Sequence, residues 1–454
     1  MDASSALDTS INIAIALAAG TSLGLSLVSG YVRNRLWTAQ STICVVLGIV
    51  AGPSLLDVFS LGELPTGRFL VLEEAARFML GFSIMAATLR LPRGYVVRRL
   101  RSLAIVLGPG MIAMWAASAA LAVGLLELPL PVALLLGAAV VPTDPVVAGA
   151  VVNGALADAS VPDRLRNLLT AESSANDGLA LLFVMLPLLL LQRPAPAALA
   201  EWLTGVLLWD IGTSVLVGMA AGWLAGRLHR WAEHQPFNRS YSPLAIALTL
   251  AAVVVCLVHL AGSDGLFAVF AAGVVFNRFL AEDAGCRRQI QEVSGRLLEP
   301  PMFLLLGALL PWTDWTGLGW RGAAFAVALL LLRRLPWWLL LKPAIREFHS
   351  SSEAAFLGWF GPIGISTVYY LVLAQRETQQ YEVWHSGSLA VLLSIVVYGA
   401  SATPLTRRMR KGTAARASQP AASGAGRERA ETPTANADAR RAGRPPVRRG
   451  PAPL

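Results

Sequence analysis

Charge is scarce in this sequence. Of 454 residues, 14% are Asp, Glu, Lys or Arg, whereas 55% are hydrophobic. A soluble globular chain carries about a quarter charged residues, so that class is excluded. The mean hydropathy of +0.58 agrees. Cysteine is nearly absent. Cys44, Cys256 and Cys286 share no metal-ligand spacing, and two of them sit in apolar runs, which argues against disulfides and against a zinc site. Strict polar–apolar alternation is also lacking, which excludes a membrane β-barrel. The first residues hold no positive charge, so a retained first span is expected rather than a cleaved signal peptide. Excess charge is missing from the apolar body as well. From Thr406 onward there are twelve Lys or Arg against three Asp or Glu, which accounts for the whole net charge of +9. The expected organisation is a transmembrane domain over 1–405 and a disordered basic cytoplasmic tail over 406–454. Such a tail fits an anionic membrane leaflet, and nucleic acid is not expected as a partner.

What is present is a series of long apolar runs. Thirteen candidate spans lie roughly at 11–30, 38–58, 69–89, 102–125, 131–152, 166–191, 204–226, 243–261, 264–280, 296–311, 321–341, 353–374 and 387–405. Runs of this length predict an all-α integral membrane protein. With the N-terminus outside, the odd-numbered loops are cytoplasmic and hold eighteen Lys or Arg, from Arg33 to Arg346. The even-numbered loops hold four: Arg68, Arg193, Arg321 and Arg376. That bias predicts a multi-pass protein of the cell (inner or plasma) membrane with a cytoplasmic C-terminus.

Thirteen spans divide into two inverted repeats of six around a linker helix. The fifth span then pairs with the twelfth. The fifth contains Thr143-Asp144-Pro145 and the twelfth contains Gly361-Pro362-Ile363-Gly364. Pro removes a helix hydrogen bond and Gly weakens a helix. Helix breaks at matching places in two halves point to a transporter's site at the membrane midplane.

Carboxylates gather at the same place. Asp144, Glu172 and Asp177 lie inside membrane-length apolar runs, where each costs about 2.5–3.5 kcal/mol on insertion scales. On the sixth span Ser173 and Asp177 share one helix face, and Glu172 and Asn176 share another. A hard cation takes oxygen ligands. Asp177, Ser173 and the carbonyls freed at the break beside Thr143 and Asp144 supply them. Asp144 either binds the ion or offsets a half-helix dipole. Glu172 needs a cationic partner, Arg334 or Arg333 of the eleventh span, and Asn176 suits orphaned backbone groups. A proton and a cation competing for Asp177 would give obligatory exchange. Glu73, Glu74 and Arg77 have the spacing of an internal ion pair. His259 reads as a core histidine and Asp264 as a turn residue. Trp37, Trp202, Trp312, Trp315 and Trp320 read as interfacial anchors.

At these residues the sequence resembles the monovalent cation–proton antiporters. Thr143–Pro145, and VPDRLRNLLTAESSANDG from Val161 to Gly178, resemble the paired TDP and ESxxND motifs of the sodium/proton exchanger branch. FLGWFGPIGIS from Phe356 to Ser366 and GSDGLFAVFAAG from Gly262 to Gly273 are similar to motifs of the subgroup containing fungal plasma-membrane antiporters. The resemblance implies two broken helices crossing at the midplane, a core domain moving against a dimerisation domain, and a homodimer. It implies Asp177 as carrier of the transported monovalent cation and the proton, with Asp144, Thr143 and Ser173 at or near ligand positions. It also implies Glu172 as an ion-pair acid with Arg334 as its partner and Arg333 adjacent. The Asn176–Asp177 pair resembles the electroneutral branch. Three positions depart from the pattern: Ile363 where many relatives have Arg, Ser174 for Gly, and Gly265 for a second acid.

The expected function is therefore exchange of Na⁺, or of K⁺ or Li⁺, for H⁺ by alternating access in a lipid membrane, with no enzymatic activity and no cofactor. The alternatives are a cation channel, which would need a pore-lining filter, and a non-transporting membrane sensor acting through its basic tail.

Overall fold

The structure is a computed structural model that describes residues 3–31, 40–58, 67–144, 149–152, 154–235, 242–280 and 299–417. Among these, every regular element is helical. Each of the thirteen expected spans contains a helix. The first six are α1 (Ala3–Tyr31), α2 (Gln40–Ala51), α3 (Gly67–Arg90), α4 (Met111–Leu126), α5 (Leu130–Ala139) and α6 (Asp163–Gln192). Then come α7 (Gly212–Glu233), α8 (Pro243–Leu260), α9 (Leu266–Phe276), α10 (Glu299–Ala308) and α11 (Trp312–Leu332). The twelfth span is divided into α12 (Ser351–Trp359) and α13 (Ile365–Thr378), and α14 (Tyr381–Ala417) is last. Among the described residues, six stretches are long and apolar enough to cross a membrane by length and composition, and four further apolar helices are shorter. Residues 1–411 form one compact unit. Of 412–454 only 412–417 is described, as helix. Pro145, Cys286, Trp37, the loop residues Arg33, Arg35, Arg239, Arg287, Arg288 and Arg296, and the tail beyond Ala417 lie outside the described residues.

The packing follows the two-repeat plan. Helix α2 packs on α10, and their counterparts in the other half, α9 and α3, pack on each other. Likewise α4 packs on α5, and the segment Leu335–Leu341 packs on α12. The contact of α2 with α10 is a close backbone approach. A Cβ at Gly48 would lie 2.1 Å from the Leu304 carbonyl oxygen, and one at Gly307 would lie 2.2 Å from that of Val45. In α7 the buried residues form one stripe, Ser214, Gly218, Gly222, Gly226 and His229, laid against α9. Small residues four apart allow this approach where lipid gives helices no hydrophobic drive to associate.

The longest stretches buried on every side among the described residues are three: 135–144, from α5 into the first break, 168–178 in α6, and 360–372 across the break between α12 and α13. The sequence did not disclose two widened π-helical segments. One is Val106–Gly110, around Pro109, just before α4; the other is Trp202–Ile211, just before α7.

Candidate functional site

The fifth span stops being helical at Ala139, and Val141–Asp144 run as irregular backbone. The twelfth breaks between Trp359 and Ile365. The two breaks meet. The Asp144 N–H donates to the Pro362 carbonyl at 2.9 Å. The Ile365 N–H, at the start of α13, donates to Asp144 Oδ2 at 2.6 Å. Asp144 thus occupies the positive end of α13, where a helix terminus favours an anion. Gly364 makes the contact possible, since a Cβ there would lie 1.9 Å from Asp144 Oδ2. At the other end of the break, Ser394 of α14 bonds Ile363 twice, accepting from its N–H at 2.7 Å and donating to its carbonyl at 2.9 Å.

Helix α6 crosses beside the breaks and presents its two polar stripes to different partners. On one stripe, Glu172 receives both arms of Arg334, at 2.7 Å and 3.0 Å. Of the two adjacent arginines, Arg334 is the one that pairs with Glu172; its guanidinium also lies 4.0 Å from the Trp338 ring centroid. Asn176, on the same stripe, donates to Glu172 Oε1 and to Thr143 Oγ1, each at 2.8 Å, and accepts from the Thr143 N–H at 3.2 Å. Thr143 Oγ1 is also within 3.3 Å of Ser173 Oγ. Thr143 therefore joins the two stripes.

Asp177 is different. It is fully buried, and neither carboxylate oxygen has a hydrogen-bond partner among the described residues. The Ser366 hydroxyl of α13 faces it, and the charges of Asp144 and Glu172 act on it. Desolvating a carboxylate without partners is expensive. Every other acid in the crossing has a donor, so the uncompensated cost is concentrated on Asp177. Beside it, Gly178 abuts the N-terminus of α9, where a Cβ would lie 2.5 Å from the Phe267 nitrogen.

Three residues near the crossing carried no functional expectation or an incomplete one. Arg333 bonds backbone carbonyls of both breaks. Its signal was available, because a second arginine in an apolar span is as costly as the first. Tyr370 Oη donates to the Asp177 carbonyl at 2.5 Å and lies 3.3 Å from Asp264 Oδ2. Nothing in its sequence context marks it. Asp264 does cap a turn, accepting from the Leu266 N–H at 2.7 Å, and it also faces Tyr370. The internal ion pair expected among Glu73, Glu74 and Arg77 is present as Glu74 with Arg77, while Glu73 pairs across helices with Arg376 at 2.9 Å. One expectation is corrected: His259 is exposed at the end of α8 rather than in the core.

The site is thus a buried, unpartnered carboxylate beside two broken spans that meet inside a helical bundle. The chain belongs to the sodium/hydrogen exchanger family: the family described as "Sodium/hydrogen exchanger, transmembrane" matches residues 23–408. Na(+)/H(+) antiporter 2 of Zygosaccharomyces rouxii is 33% identical over 367 residues, covering 78% of this chain and 45% of that one. The Na(+)/H(+) antiporter of Saccharomyces cerevisiae is 32% identical over 372 residues, covering 78% and 37%. The chain thus spans less than half the length of either. The K(+)/H(+) antiporter NhaP2 of Shewanella oneidensis is 25% identical over 279 residues, covering 60% and 46%. The solved sodium proton antiporter of Methanocaldococcus jannaschii shares the fold, with a TM-score of 0.68 at 19% identity, covering 88% of this chain and 99% of that one.

Proposed function

We propose that this protein exchanges one monovalent cation for one proton across the cell membrane, with Asp177 as the group both compete for. The observation that carries this reading is the pair of buried, unpartnered Asp177 oxygens at the crossing of the breaks. With either a proton or a cation, the carboxylate is neutral and can move through a low-dielectric interior. Empty, it is a bare charge there, and its movement is opposed. Coupling follows without a further device. Ser173, Thr143 and Asp144 complete the oxygen set for the cation, while Glu172, Arg334 and Asn176 hold α6 against the first break. Na⁺ is the first candidate, and K⁺ or Li⁺ are alternatives, since both Na⁺/H⁺ and K⁺/H⁺ antiporters are among the similar proteins. The channel and sensor readings gain nothing from these similarities.

By the family resemblance the protein is a homodimer in the membrane, and by the basic bias of its loops its N-terminus lies outside. Residues 1–405 carry transport, and the basic segment from Thr406 is a cytoplasmic tail whose first part, to Ala417, continues α14.

The test is cation-induced proton movement in proteoliposomes. Na⁺, K⁺ or Li⁺ is added to vesicles with an acidic lumen and a pH dye. Alkalinisation with one of them that vanishes in Asp177→Asn supports exchange and names the ion. No response to any of them from folded protein would refute it.

A further inference from the structure

Helix α3 packs on α8 and α9, and also on α6 and α13, the helices that carry Asp177 and Ser366. It holds these two at opposite ends. Near its start, Glu73 pairs with Arg376, close to the end of α13, at 2.9 Å. One turn earlier, the Phe69 ring meets the Trp384 ring of α14 edge-on, with centroids 5.7 Å apart. At the last residue of α3, Arg90 Nη2 donates to Thr170 Oγ1 of α6 at 2.8 Å. With a helical rise of about 1.5 Å per residue, Glu73 and Arg90 lie ~25 Å apart along α3. By the same rise, Thr170 lies ~10 Å before Asp177 along α6, and Arg376 lies ~15 Å beyond Ser366 along α13. The two shorter distances add up to the longer one. Asp177 therefore sits between the two contacts, closed at both ends, which agrees with its complete burial.

The Glu73–Arg376 contact is unlike the ion pair at the crossing. Glu172 and Arg334 are bidentate and buried on both sides. Arg376, by contrast, has a side chain 40% exposed against 7% for Glu73, and its other arm reaches Glu377 at 3.0 Å. Glu73 Oε2 has no aligned hydrogen-bond donor among the described residues. Charge alone holds this pair, at the edge of water, where such pairs are weak and readily parted. Arg376 belongs to the sparsely basic set of loops, which the loop bias places outside. We propose that Glu73 and Arg376 are the outer latch of the exchange cycle: the pair holds α13 against α3 while Asp177 is closed to the outside, and parts when the site opens there. Neither residue touches Asp177, so both act by position. The inference rests on the exchange reading and the orientation above, and extends them to the contact that gates the outer route. A contact made only in outer-closed protein lowers the share of outer-open protein. Its removal raises that share, which strengthens apparent cation binding at the outer face and weakens it at the cytoplasmic face.

The experiment has two arms. In the first, Glu73→Cys and Arg376→Cys are combined in protein whose three native cysteines are replaced by alanine. The purified protein is bridged with a short, reducible bis-methanethiosulfonate, bridging is confirmed by mass spectrometry, and exchange is followed with the dye assay. The bridged protein should lose exchange and dithiothreitol should restore it, while each single cysteine variant treated alike keeps exchange. Undiminished exchange in the bridged protein would show that the pair never parts and would overturn the proposal. In the second arm, the half-saturating cation concentration of Arg376→Gln is measured at the outer face of right-side-out vesicles and at the cytoplasmic face of everted ones. A latch predicts a fall at the outer face and a rise at the cytoplasmic face, each about two- to fivefold. A merely structural pair lowers the unfolding midpoint and leaves both faces unchanged or shifted in the same direction, and that result overturns the latch. Shifts of opposite sign to those predicted would overturn its assignment to the outer face. If Arg376→Gln does not fold, the bridged protein decides alone. Absence of exchange in the wild type would instead sink the exchange reading, and this inference with it.

Discussion

The Tyr370 hydroxyl donates to the backbone carbonyl of Asp177 at 2.5 Å, so Asp177 is held by its main chain while its side chain is left unpartnered. The same hydroxyl lies 3.3 Å from Asp264 Oδ2. One side chain of α13 thus links the middle of α6 to the turn between α8 and α9. A hydroxyl has one proton to give, and the shorter contact takes it.

Tyr370→Phe removes that donor and leaves a buried carbonyl and a buried carboxylate oxygen short of a partner. The expected cost is about 1–3 kcal/mol of stability, read as a lowered midpoint of thermal unfolding in detergent. Exchange should weaken as well, because the α6 backbone at Asp177 loses its anchor. An unchanged midpoint and rate would show that the contact carries nothing.

Glu172 and Arg334 form a bidentate pair, both almost completely buried. Breaking such a pair from one side leaves an uncompensated ion and costs about 3–5 kcal/mol, whereas removing both partners costs less. Glu172→Gln and Arg334→Gln should each be poorly stable. The double variant should be more stable than the sum of the single losses predicts. Additive losses in a denaturation series would contradict the pairing.

Gly364→Ala should abolish exchange, because its Cβ would fall 1.9 Å from Asp144 Oδ2 and 2.7 Å from Asp144 Cβ, which would push the whole Asp144 side chain off the start of α13. Gly178→Ala should do nearly the same by driving α6 off the start of α9. Gly20→Ala in α1 meets nothing within 4 Å and serves as the control, with transport at the wild-type rate. Retained exchange in Gly364→Ala would mean that the crossing is looser than its geometry.

Much of the site was legible because its signals are local. Proline, glycine and a carboxylate inside an apolar run mark a helix break without any partner being known. The spacing of four between Ser173 and Asp177, and between Glu172 and Asn176, fixes two faces of α6 by helix geometry alone. What stayed hidden depends on contacts between distant segments. Arg333 reaches carbonyls more than 190 residues away, Ser394 clasps Ile363 from another span, and Tyr370 is an ordinary residue until α6 is placed beside it. Glu73, Glu74 and Arg77 divide the same way: helical spacing gives the internal pair of Glu74 with Arg77, whereas Arg376, the partner of Glu73, comes to it only by tertiary packing.

Competition of cation and proton for Asp177 is tested most directly by titrating Na⁺ or K⁺ into the purified protein by calorimetry in buffers of different ionisation enthalpy. The slope against buffer enthalpy counts the protons released per cation bound. One proton released per cation, with no binding heat in Asp177→Asn, is the predicted result. Cation binding without proton release, or undiminished in Asp177→Asn, would place the cation elsewhere and contradict exchange at this carboxylate.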